Sequence, residues 1–518
     1  MGRDVVRASG RATSWVLVAL SAVLLVLAYP PFDWGWLAWV ALVPFFLALE
    51  NAAPRRAFAL AYAGGFLYFL GLTSWIIYVT VIGWVLLTAY LALFVALAGW
   101  FMARLRRAAA TGVLLLVPSA WVACEWARSH LLTGFGWGLL GYTQWRWLPI
   151  IQIADVTGAY GVSWLVVMVN VVVWLAIRAR RRSSSVRVAS VIAAVVLLSV
   201  WSYGAWRLRT PIDGSRLTTA VVQGDIPQSE KWDEQRRSDI LRRYDDLTRA
   251  AARQRPDLVV WPETSVPGLF GADDEVTQPV VALARAVQIP LLVGAPTERV
   301  QSGSVRLYNS AVLVTPDGGL EQRYDKLHLV PYGEFLPCEQ QLPWLRALLP
   351  PMGDFLPGET ATVFSVGRQE AGDGRRVPDA AVSRFSVLIC FEDVFPSLAR
   401  RFAREGAGLL LVITNDAWFG PTGAAAQHAQ ASVFRAVENR VSVARAANTG
   451  VSCFIDPWGR LTGRVQDAAG RALFVPGVSV EPVLVTAGAR SVYRSVGDAF
   501  AAGCALLVLG AVLVRRRA

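Results

Sequence analysis

Three side chains of reactive type stand at the ends of apolar runs: Glu263 in VVWPETSVPG, Lys326 in YDKLHLVPYGEFLP and Cys390 in LICFEDVFP. A thiolate is a nucleophile, a carboxylate can take the thiol proton, and an ammonium favours the thiolate and later stabilises an oxyanion. Together these types suit nucleophilic catalysis by a thiol with a base and an oxyanion stabiliser beside it. Each also has a plain alternative: a small hydrophobe closing a buried strand for the cysteine, a solvated or capping carboxylate for the glutamate, a surface charge for the lysine. Glu392 and Asp393 sharpen the problem, because negative charge close to a thiol raises its pKa. Lys326, one of two lysines in its part of the chain with Lys231, is the residue that would offset them.

The elements around these residues read as α/β. Short β-branched runs at 217–226, 257–263, 289–296, 307–316, 385–393 and 408–416 alternate in part with amphipathic stretches at 229–254, 276–288, 397–406 and 424–440. Apolar strands alternating with helices imply a sheet covered on both faces, and the carboxyl ends of such strands tend to line a site. Three of the strands end in WPE, CFED and TND.

The rest of the chain is of another kind. The 518 residues are 54% hydrophobic with a mean hydropathy of +0.42, which points to a membrane protein. The +12 net charge comes from arginines clustered beside apolar runs, a membrane pattern rather than a nucleic-acid one. Stretches long enough to span hydrocarbon lie near 12–29, 35–50, 57–79, 82–103, 110–126, 158–177, 187–206 and 496–514. Arginines mark alternate connections: Arg3, Arg7 and Arg11; Arg55 and Arg56; Arg104, Arg106 and Arg107; Arg178 to Arg187; and Arg515 to Arg517. The positive-inside rule places all of them in the cytoplasm, which predicts eight transmembrane helices in a cell membrane, both termini cytoplasmic, and a large extracytoplasmic insert. The expected division is 1–206 (about seven helices), 207–490 (the α/β domain) and 491–518 (a final helix and an Arg tail). No small-residue cleavage site follows the first span, which is therefore expected to be retained. Five scattered cysteines and three histidines imply neither a disulfide framework nor a metal site, and no cofactor is indicated.

The order Glu in WPE, Lys in YDKLHLVPYGEF and Cys in CFED resembles the nitrilase superfamily, whose members use a Glu–Lys–Cys triad on an αββα sandwich. With QGDIPQSEKWD (223–233), TNDAWFG (414–420) and ARAANTGVSCFIDPWG (444–459) inserted before the last of eight spans, the chain is similar to its membrane-embedded branch, the apolipoprotein N-acyltransferases. The resemblance implies Glu263 as general base, Lys326 as oxyanion stabiliser and Cys390 as nucleophile. It puts Glu334, Glu392 and Trp232 on positions the family needs, and Phe391 where the family's bacterial prototype has Tyr. The implied reaction moves a fatty acyl group from a phospholipid to the α-amino group of a lipoprotein's S-diacylglyceryl cysteine, the final step of lipoprotein maturation.

Two apolar segments are candidates for excluding water from a thioester: 342–358 as a lid, and FGWGLLGYTQWRW (135–147) at the membrane interface, with packing against the spans as the alternative for both. Two rival functions remain open. A membrane-tethered amidase would use the same triad with water as acceptor. A transporter or receptor with a non-catalytic domain would need buried charges in its spans, for which Glu125 and Arg128 are the nearest candidates.

Overall fold

The computed structural model describes residues 2–105, 108–178, 184–301, 303–320, 322–336, 354–367, 382–488 and 490–517. Contacts divide the chain into two compact units: Met1–Pro211 with Thr422–Phe434 and Ser491–Ala518, and Ile212–Pro421 with Arg435–Arg490. The division drawn from composition differs in two stretches, 207–211 and 422–434, which group with the helical unit.

In the second unit, two six-stranded sheets are formed among the described residues. The first runs β12 (Gly477–Thr486), β1 (Gly214–Gln223), β2 (Leu258–Val260), β3 (Leu291–Gln301), β4 (Ser304–Val314), β5 (Gln322–Asp325). The second runs β11 (Leu461–Thr462), β10 (Cys453–Ile455), β9 (Ser442–Ala447), β8 (Leu409–Thr414), β7 (Ser383–Ile389), β6 (Phe364–Val366). Each sheet has a parallel centre, β1–β2–β3 or β7–β8–β9, and antiparallel flanks. Helices make the parallel crossovers: Arg237–Ala252 and Asp274–Val287 in the first sheet, Pro396–Arg404 and Ala424–Asn439 in the second. The result is the expected αββα arrangement. Every residue of β8 and β9 is buried, as strands covered on both faces require.

The helix Arg237–Ala252 buries Ile240, Tyr244, Thr248 and Ala251, one face at helical spacing. Tyr244 stacks on Trp261 at 4.7 Å between ring centroids, and the Trp261 Nε1 donates to Thr248 Oγ1 at 2.9 Å. The helix expected from 229 begins only at Arg237, because Pro227 lies in the approach and Asp233 caps a 3-10 turn by accepting from Gln235 N at 2.9 Å. Residues before that turn form a loop instead, and this loop carries Lys231.

In the first unit, Val81–Arg104, Ala110–Arg128, Ala159–Arg178 and Ser184–Arg207 are long and apolar enough to cross a membrane. Shorter apolar helices occupy Ala12–Leu27, Gly35–Leu49, Leu148–Thr157 and Ala499–Val514. Their outward faces stay apolar: Val81, Leu86, Leu97, Val191, Leu198 and Leu509 are all exposed, a surface suited to lipid and not to water. The expected span at 35–50 is broken into a 3-10 turn and two short helices, Ala38–Ala41 and Val43–Leu49, with Pro44 at the start of the last. The helix of the third stretch is Pro54–Leu72, and a 3-10 turn, Ser74–Tyr78, follows it.

The segment 135–147 packs inside this unit. Trp137, Tyr142 and Trp145 are buried, and Trp147 alone of its aromatic side chains is exposed. Glu125 and Arg128 serve that packing. Arg128 donates to the carbonyls of Phe135 and Trp137 at 2.7 Å and of Gly138 at 2.8 Å, while Glu125 accepts from Leu140 N at 2.7 Å and Trp121 Nε1 at 3.0 Å. Their charges fasten a loop. Residues 342–353 of the candidate lid lie outside the described residues.

Candidate active site

Strand ends from both sheets supply the site. Glu263 follows β2, Lys326 follows β5, Cys390 follows β7, and Asn415 and Asp416 follow β8. The backbone turns sharply at two of these ends: Cys390 has φ 55° and Thr264, next to Glu263, has φ 47°, both in the left-handed region that non-glycine residues enter only at a cost. A close approach holds Glu263 as well. A Cβ on Gly294 of β3 would meet the Pro262 carbonyl and stand 2.7 Å from the Glu263 Cα, so the neighbouring strand has room only for glycine.

Lys326 is buried between two carboxylates. Its Nζ lies 2.9 Å from Glu334 Oε2 and 3.5 Å from Glu263 Oε1. Burial works against its charge, but Glu334 and Glu263 outweigh burial and hold the ammonium above the usual lysine range. Asn309, on β4, ties the two acids together, its Nδ2 donating to Glu263 Oε1 at 2.8 Å and to Glu334 Oε1 at 2.7 Å. The remaining oxygen of Glu263 accepts from Asn415 N at 3.0 Å, and that of Glu334 from Val330 N at 2.7 Å. Glu263 is thus held in a fixed orientation.

Cys390 is buried beside these groups. Burial first, then the Glu263 charge, push its thiol well above the ordinary value, with Asp416 adding to the rise while Lys326 and a hydrogen bond with Thr414 work against it. Lys326 favours the thiolate, as expected, but burial and the carboxylates outweigh it, so a base is needed to take the thiol proton when an electrophile arrives. The carboxylates responsible are Glu263 and Asp416, which are remote in sequence.

The acids adjacent in sequence are turned to other uses. Glu392 reaches back to accept from Ile389 N at 2.7 Å and also accepts from Tyr324 Oη at 2.8 Å, Leu327 N at 2.7 Å and His328 N at 3.0 Å. It therefore couples the nucleophile's turn to the chain just after Lys326. Burial pushes this carboxyl up to about 7 against those donors. Asp393 pairs with Arg445 at 2.6 Å. Phe391 packs edge-on to Phe395, with centroids 5.0 Å apart, and Trp232 is half exposed on the loop before the first crossover helix.

The sequence did not single out Asn309, which reads as part of a strand, nor Asn415, although TND had flagged its strand end. It also passed over Lys231, whose Nζ donates to the Glu263 carbonyl at 3.0 Å. No group of three or more metal-ligating side chains is found among the described residues.

The chain is 38% identical over 517 residues to an apolipoprotein N-acyltransferase of Geobacter metallireducens, covering 96% of this chain and 94% of that one. It belongs to the apolipoprotein N-acyltransferase family. The relative so named from Azotobacter vinelandii is 34% identical over 97% of this chain and 95% of its own. The profile described as apolipoprotein N-acyltransferase N-terminal domain matches residues 21–172, and that of the carbon-nitrogen hydrolases matches 218–473. Among solved structures, Saccharomyces cerevisiae Nit3, of branch 10 of the nitrilase superfamily, matches with a TM-score of 0.37 at 20% identity, covering 53% of this chain and 91% of its own. An amidase from Nesterenkonia sp. matches with 0.35 at 22%, covering 53% and 93%. The apolipoprotein N-acyltransferases are enzymes of the carbon-nitrogen hydrolase superfamily, so the non-catalytic transporter or receptor falls away.

Proposed function

We propose that this enzyme transfers a fatty acyl group from a phospholipid to the α-amino group of the S-diacylglyceryl cysteine at a lipoprotein's N-terminus. The observation that carries the proposal is a buried cysteine on a strained strand end, beside a glutamate and a lysine that lie 3.5 Å apart, in a chain with lipid-suited helices. Glu263 takes the thiol proton as the Cys390 sulfur attacks the ester carbonyl, and Lys326 with the Phe391 backbone N–H steadies the oxyanion. The carbon–oxygen bond breaks, Glu263 returns the proton to the leaving oxygen, and lysophospholipid departs. The acceptor amine then attacks the thioester to give the amide and regenerate the thiol. Glu334 and Asn309 position the charges, and Glu392 holds the nucleophile's turn.

The arginine clusters support eight spans with both termini in the cytoplasm and the catalytic domain on the outer side of the cell membrane, where lipoprotein N-termini and outer-leaflet phospholipid meet. Family membership supports a lipoprotein acceptor over water, which sets this proposal above the amidase alternative.

Intact-mass measurement of wild type and Cys390→Ala after incubation with phospholipid alone tests it. An acyl-sized, hydroxylamine-labile increase on wild type only is expected. A folded wild type that takes up no acyl group from accessible lipid would overturn it.

A further inference from the structure

Of the chain's 50 lysines and arginines, two are lysines, Lys231 and Lys326. Both are 1% exposed, and both stand against Glu263. Their surroundings differ. Lys326 has Glu334 and Glu263 carboxylates on its ammonium, whereas the Lys231 Nζ donates to a neutral acceptor, the backbone carbonyl of Glu263. An arginine would hold its charge in either place, while a buried lysine can give up its proton.

The proposed acyl transfer has a proton left over. In the first half-reaction the thiol proton passes through Glu263 to the leaving oxygen, and nothing is released. In the second, an α-ammonium and a thioester become an amide and a thiol, which leaves one proton in excess. Of the two N–H protons that nitrogen loses, one goes through Glu263 to the Cys390 sulfur. The other needs a second base, because Lys326 is held charged and Glu263 is already in use.

Building on the acyl-transfer reading, we infer that Lys231 is that base: its neutral amine takes the proton that the acceptor's α-ammonium loses before attack on the thioester. Burial pushes Lys231 down to about 7, and the charges of Glu263 and Cys390 push it back up in part. On its own loop Glu230 is half-buried and Asp233 exposed to solvent. Neither the thiol nor the thioester carries a charge at sulfur, so the Cys390 influence that favours the ammonium is absent when the acceptor amine arrives. An α-ammonium of ordinary pKa about 8 is well matched to such a base, which is the condition for efficient proton transfer near neutral pH.

The test separates the half-reactions. Wild type, Lys231→Met and Lys231→Arg are acylated with phospholipid, then mixed with a diacylglyceryl-cysteine peptide or with hydroxylamine, which reaches the site already neutral. With the peptide at about pH 7, where only about a tenth of its amine is neutral, amide formation by Lys231→Met is expected to fall about tenfold. Thioester formation falls far less, and hydroxylamine attack stays close to wild type. Raising the pH to about 9, above the peptide amine's own pKa, restores the peptide reaction. Lys231→Arg, which can still donate to the Glu263 carbonyl but keeps its proton, shows the same defect and carries the test where the Met variant does not fold. Equal slowing of peptide and hydroxylamine, or wild-type amide formation by the Arg variant, would overturn the inference. A wild type that forms no thioester would instead remove the acyl-transfer reading on which it rests.

Discussion

Two buried charge clusters surround the nucleophile's turn. On one, Lys326 touches Glu334 and Glu263, with Asn309 bridging the acids; on the other, Arg445 pairs with Asp393 at 2.6 Å and Arg435 with Glu438 at 2.9 Å, all four side chains fully buried. Burial and charge are alike in both, so neither property marks the chemistry. The cation distinguishes them. Arginine cannot release a proton and its planar fork locks onto a carboxylate, so the Asp393 cluster is a fixture of the fold. The lysine cluster contains acids held by amides and backbone N–H groups, which keep their shape when a proton moves.

The largest expected difference is chemical. Glu263→Gln keeps the shape and an oxygen for Asn309 or Asn415 but cannot take the thiol proton, so thioester formation should slow by about 10²–10⁴-fold, the range of a lost general base. A time course of the acyl adduct by intact mass measures it, with the melting temperature as control. A loss of only a few-fold would put Glu263 in the same structural class as Asp393.

Arg445→Leu should do the reverse. It removes the guanidinium that pairs with the buried Asp393 carboxylate, and breaking a buried pair in this way costs about 3–5 kcal/mol of stability. Denaturant unfolding in detergent reads that loss, while the fraction still folded should form thioester at close to the wild-type rate. A stable Arg445→Leu protein with no adduct would show that the second cluster belongs to the chemistry, and the contrast would be broken.

How much of this was legible in the sequence follows from the same contrast. Glu263, Lys326 and Cys390 could be picked out because each stands at or just past a strand end, where a carboxylate, an ammonium or a thiol breaks an apolar pattern, whereas Glu334 came only from the family resemblance. Asn309 could not, since LYNSAVLV reads as an ordinary strand and its side chain matters only for the two acids it bridges. Lys231 was hidden by its neighbours: SEKWDEQRRSD is so polar that it reads as a solvated helix start, and only the folded loop turns this lysine inward. The partners of Glu392 and Asp393 lie between 52 and 68 residues away, except Ile389, which no local pattern specifies. Helix limits failed where composition kept an apolar run going past a backbone break, as at Pro44 and after Leu72.

One further effect distinguishes the two lysines without any substrate. In the folded chain Lys231 releases its proton near pH 7, whereas in the unfolded chain it holds it to about 10.4. Between those values the unfolded state binds more protons, so wild-type stability gains from this residue as pH rises. Lys231→Met carries no such proton and lacks the gain. At pH 7 the Met variant should therefore melt above wild type, and the gap should narrow as the pH approaches about 10, where the unfolded lysine loses its proton too. Lys326, held above its usual range by Glu334 and Glu263, contributes the opposite sign: its share of stability is present at neutral pH and fades only in strong alkali. A Lys231→Met difference that stays constant across this window would mean that Lys231 is charged in the fold as Lys326 is, and the site would then hold two fixed cations with no neutral amine to receive a proton.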